Sequence, residues 1–72
     1  MKYFSSHKWD DVTEEISAEK ARDLLTGYWN EDVLEHIFKD EKVFRLYTPY
    51  RYVWSKTDDG KVLMPGFEGV SE

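Results

Sequence analysis

The groups in this 72-residue chain that could do acid–base or nucleophilic chemistry are two histidines, five serines and fifteen carboxylates. A nucleophile needs a base within hydrogen-bond reach, and that base needs an orienting partner. His36 has Asp32 and Asp40 one helical turn away on either side, so an acid–histidine pair could form. At this spacing such a pair is usually an exposed helix-surface interaction worth about 0.2–0.5 kcal/mol. His7 lies among Ser5, Ser6 and Lys8 with no partner legible nearby. A chain this short also has little material to wall in a deep pocket. No catalytic residue is assigned, and the chain is not expected to be an enzyme.

Metal and phosphate chemistry find no better footing. Asp10, Asp11, Glu14 and Glu15 crowd oxygen donors together, but they lack the alternating ligands and turn glycine of a calcium loop. There is no cysteine for a thiolate zinc site or a disulfide. Gly27, Gly60, Gly66 and Gly69 stand alone and form no phosphate-cradling loop. No metal and no cofactor is expected.

Binding is the chemistry the residue pattern favours. Residues 10–42 hold 11 acids against 4 bases, whereas residues 43–56 hold Arg45, Arg51 and Lys56 and no acid. The same basic stretch carries Phe44, Tyr47, Tyr50, Tyr52 and Trp54. Rings interleaved with cations can stack on bases and hold phosphates. Arg and Tyr are equally the residues enriched at protein–protein interfaces.

Four stretches must position these groups. Residues 1–16 read as an extended or irregular arm, with one turn of helix near Asp10. Residues 17–27 read as a helix, with Ser17 as N-cap, Glu19 in the first turn and Gly27 closing it. Its apolar stripe is Ala21, Leu24, Leu25 and Tyr28. Residues 30–39 repeat the logic with Asn30 as cap and Val33, Leu34, Ile37 and Phe38 as the stripe. From residue 43 the period falls to two. Residues 43–48 and 50–55 read as strands interrupted at Pro49. The turn Thr57-Asp58-Asp59-Gly60 then returns the chain as a third strand over 61–64. The 66–72 tail could dock through Phe67 and Val70.

Strand alternation assigns Phe44, Leu46, Tyr50, Tyr52, Trp54, Val62 and Met64 to a core face. The opposite face then carries Val43, Arg45, Tyr47, Arg51, Val53, Ser55, Lys61 and Leu63. The expectation is a single α+β domain, with two short helices packed on a three-stranded antiparallel sheet. Two helices followed by a hairpin also resemble, in outline, a winged helix-turn-helix. Against that outline, Asp23 stands where a small residue usually packs, and Glu31, Asp32 and Glu35 would face phosphate.

Composition bounds the rest. A net charge of −5 opposes nonspecific binding to nucleic acid. No apolar run approaches the ~20 residues of a membrane span, and the N-terminus does not read as a signal peptide. Absence of cysteine fits a cytoplasmic protein. The starting Met1 suggests a complete natural chain, and its size suggests a bacterium or phage. The expected function is a small accessory or regulatory protein that binds a protein partner, or itself, through Arg45, Tyr47, Arg51, Val53 and Leu63. The alternatives are nucleic-acid binding by the basic strip 43–56 and an acidic, DNA-mimic-like surface offered to a basic partner.

Overall fold

The computed structural model describes residues 1–10, 12–63 and 68–70. The chain opens with two strands, β1 (Lys2–His7) and β2 (Thr13–Ile16). Helices α1 (Ala18–Leu25) and α2 (Glu31–Lys39) follow, then β3 (Phe44–Tyr47), β4 (Arg51–Lys56) and the two-residue β5 (Gly69–Val70). The strands form one antiparallel sheet of order β2-β1-β4-β3-β5. Both helices pack on a single face of it. The class is therefore α+β, with five strands among the described residues rather than three, and the helices lie between strand pairs rather than ahead of a wing.

Both helices start where local chemistry dictates. Ser17 Oγ accepts the Lys20 N–H at 3.1 Å, and Asn30 Oδ1 accepts the Asp32 N–H at 2.7 Å. Each bond satisfies a donor that the first helical turn leaves free. Gly27, at φ +91°, turns the chain between the helices in a conformation that side chains disfavour. Ala21, Leu25, Leu34 and Ile37 are buried as the helical period requires. Tyr28 departs from its expected stripe: α1 stops at Leu25, so its ring is half exposed.

The N-terminal arm is the largest departure. β1 and β2 pair as antiparallel neighbours, and β1 is a central strand bonded to β2 on one side and β4 on the other. Polar side chains at Ser5, Ser6 and His7 hide this strand from a hydrophobicity pattern, yet its Tyr3 belongs to the core. The Tyr3 ring meets Phe38 and Phe44 at centroid distances of 5.5 and 6.2 Å. The turn at Thr57–Gly60 does form: the Gly60 N–H donates to the Thr57 carbonyl at 2.9 Å. Lys61–Leu63 nevertheless do not continue as a strand. Met64 and Phe67 lie outside the described residues, while Val70 pairs with Phe44 in β5.

The facing of β4 is also reversed. Leu46 pairs with Val53 and Tyr47 with Tyr52, so the inward, even-numbered residues of β3 meet odd-numbered residues of β4. Val53 and Ser55 are fully buried, and Tyr52 and Trp54 point away from the helices. The tight turn at Pro49–Tyr50 sets this parity. The Thr48 N–H donates to the Arg51 carbonyl at 2.9 Å, and Thr48 Oγ1 accepts the N–H groups of Tyr50 and Arg51, both at 3.2 Å. Tyr50 is thus a turn residue, and its ring is exposed.

Candidate binding face

The helix-free face of the sheet gathers the side chains with binding chemistry. Alternation on β1 and β4 puts Phe4 and Trp54 opposite each other, and their rings stack at 6.0 Å and 20°. On β3, Arg45 is opposite Trp54 and Tyr47 opposite Tyr52. The Arg45 guanidinium lies over Tyr52 at 4.9 Å and over Trp54 at 5.5 Å. Lys8, just past β1, reaches back over the rings of Tyr47 at 4.7 Å and Tyr52 at 5.3 Å. Lys2 and Lys56 are cross-strand partners at the far end of the same face. The result is a row of four rings threaded by cations, each cation–π contact worth about 0.5–1 kcal/mol at an exposed site. Glu15, opposite Phe4, is the one carboxylate among this face's strand residues that the structure describes.

The residues expected to bind are thereby divided. Arg45 and Tyr47 do share the outer face. Val53 does not: it is wholly buried under the helices. Leu63 is half-buried in a segment outside the strands. Arg51 belongs to the helix side, beyond the helices' reach. There it donates to Ser5 Oγ at 3.2 Å, lies 3.3 Å from His7 Nε2 and sits 3.9 Å from Glu14. These contacts tie β1, β2 and β4 together, which is a structural role. The aliphatic patch expected from Val53 and Leu63 does not exist.

Sequence reasoning missed Phe4, Lys8, Tyr52 and Trp54 as members of this face. The available signal was the Thr-Pro-Tyr-Arg turn, whose two-residue loop fixes which parity of β4 faces inward. The inward positions then had to accept serines. Ser55 can be buried because its hydroxyl accepts the Phe44 N–H at 3.0 Å and donates to the Lys42 carbonyl at 2.9 Å. A buried hydroxyl with both roles filled carries little penalty.

The other candidate groups stay apart. His36 Nδ1 lies 2.9 Å from Asp40 on the exposed surface of α2, with no serine or second acid completing a catalytic set among its described contacts. Asp32 instead donates its backbone N–H to the Asn30 cap. Among the described residues, no three His, Asp or Glu side chains converge in a way that could hold a metal, and no helix is long and apolar enough to cross a membrane.

Comparison with protein families, with curated proteins and with solved structures yields no match to this chain.

Proposed function

We propose that the chain is a small binding module whose working surface is the helix-free sheet face, and that its ligand is single-stranded nucleic acid. One observation carries this reading. The central strand β4 turns Ser55 toward the core and the rings of Tyr52 and Trp54 away from it, where Phe4 of β1 stacks on Trp54. That inverts the arrangement burial alone would favour, and such inversions concentrate at functional surfaces. Rings offer stacking worth about 1–3 kcal/mol per base, and sequence matters little to it. Lys2, Lys8, Arg45 and Lys56 supply the phosphate contacts. The acids Glu31, Asp32 and Glu35 lie on α2, across the sheet from this face, so the net negative charge is not the local one.

The test is fluorescence anisotropy of labelled single-stranded oligonucleotides at low salt, with quenching of tryptophan emission read in parallel. With four phosphates neutralised, log K should fall against log salt with a slope of about −3, at roughly 0.7 per phosphate. Trp54→Ala or Tyr52→Ala should weaken binding by roughly five-fold or more. Absence of binding at low salt would reject the reading.

A second reading is a protein partner gripping the same face. It is supported by the Tyr, Trp and Arg composition around Arg45 and Tyr47, the types that dominate interface energetics. Under it, Arg45→Ala and Tyr47→Ala weaken a protein complex, and oligonucleotides do not compete.

A further inference from the structure

One end of the molecule carries apolar surface that the nucleic-acid reading does not use. Trp9 is 76% exposed, Val12 68%, Tyr50 58% and Tyr28 51%. They sit on three separate loops: the β1–β2 loop, the β3–β4 turn and the α1–α2 connection. Backbone and indole hydrogen bonds hold the loops side by side. The Lys8 N–H donates to the Tyr50 carbonyl at 3.1 Å. Trp29 Nε1 donates to the Tyr47 carbonyl at 2.6 Å, which brings Tyr28 alongside Pro49 in a shared groove. None of these four side chains contributes to the core. Large apolar groups left on fixed loops mark contact surfaces.

We propose that this end docks on the same end of a second copy of the chain, about a two-fold axis passing beside Trp9. Two features select a copy as the occupant. The first is charge. Trp9 is flanked by Lys8 and Asp10, both exposed. In an isologous contact residue i meets j and j meets i, so a two-fold through Trp9 places Lys8 of each copy near Asp10 of the other. The arrangement is self-complementary, whereas a strongly charged partner would meet one attractive and one repulsive group. The second is area. At roughly 200 Å² per large ring, the exposed fractions leave about 500 Å² per copy. Two copies would bury about 1,000 Å², the lower limit for a specific interface. The dimer should therefore be weak and concentration-dependent. It would join two sheet faces at their Lys8 ends, though the dimer stands or falls without any ligand.

Sedimentation velocity on the full chain, without nucleic acid, tests this from about 10 μM to 1 mM, the range of weak complexes. A reversible monomer–dimer equilibrium is expected within it. Trp9→Ser and Tyr50→Ser should each shift it toward monomer at least ten-fold. Lys8→Glu alone sets a new carboxylate against Asp10 of the other copy. Asp10→Lys alone sets a new ammonium against Lys8 of the other copy. Each of these two variants should therefore be monomeric by itself, and an equimolar mixture of them should dimerise. A monomeric wild type throughout the range overturns the proposal. So does a mixture that stays monomeric while circular dichroism shows both variants folded, or a dimer indifferent to Trp9 and Tyr50. Oligonucleotide binding is measured separately, so failure of one proposal leaves the other standing.

Discussion

The two faces of the sheet use the same strands to opposite ends. The inner face is built from Tyr3, Phe44, Leu46 and Val53, closed by Leu25, Leu34 and Ile37 from the helices. It admits Ser5 and Ser55 because each hydroxyl has a partner. The outer face holds larger rings, yet they rest on one another and on cations instead of beneath a second layer. On β4, burial therefore does not follow side-chain hydrophobicity alone. It follows which side the helices occupy. Stability should reside on the inner face and binding on the outer one.

The sharpest way to break that division is to truncate one ring on each side. Phe44→Ala should cost about 3–5 kcal/mol, from lost burial and the cavity left behind. A domain this small has little reserve, so urea denaturation should find the variant largely unfolded. Trp54→Ala should cost distinctly less, because its ring is only half-buried and its main contacts are Phe4 and Arg45. Equal losses for the two would end the distinction between the faces.

Ser55→Ala comes next, at about 1–3 kcal/mol. It leaves the Phe44 N–H and the Lys42 carbonyl without their partner in a dry site. Ser6→Ala, on the outer side of the neighbouring strand, should be close to neutral in the same urea denaturation. The capping change Asn30→Ala should cost about 1 kcal/mol by loss of the bond to the Asp32 N–H.

The smallest effects are electrostatic. Burial raises the Tyr3 hydroxyl above its ordinary pKa, and the nearby Glu41 carboxylate adds to the shift. The protonated phenol is thus favoured in the folded state. Its contribution is whole below the unfolded value of about 10 and is lost as pH rises through the folded one. Alkaline denaturation should be blunted in Tyr3→Phe. At the exposed Thr57–Gly60 turn the sign is opposite. The Thr57 hydroxyl donates to Asp59 and lowers its pKa, with Lys61 assisting. That carboxylate favours the fold above its unfolded pKa, and the benefit disappears as pH falls through the folded value. Thr57→Val should raise the Asp59 pKa in an NMR titration.

Features that depend on neighbours along the chain are legible in the residues alone. Ser17 and Asn30 cap their helices, Gly27 and Gly60 take the positive φ their turns require, and the α+β class follows from the change of period near residue 43. Arg45 and Tyr47 likewise read as outward-facing. Features that depend on partners remote in sequence are not legible in this way. The first strand pairs with residues 51–56, and its polar composition reads as an arm until that pairing is known. The buried Ser55 reads as surface until the Phe44 N–H and the Lys42 carbonyl are seen to meet it. With Ser55 inside, Tyr52 and Trp54 must lie outside, and the binding face gains most of its rings. Strand alternation has only two phases, and packing against the helices chose the one that buries Phe44 and Leu46 of β3. A single turn, Thr48–Arg51, converts that choice into the position of every ring on β4.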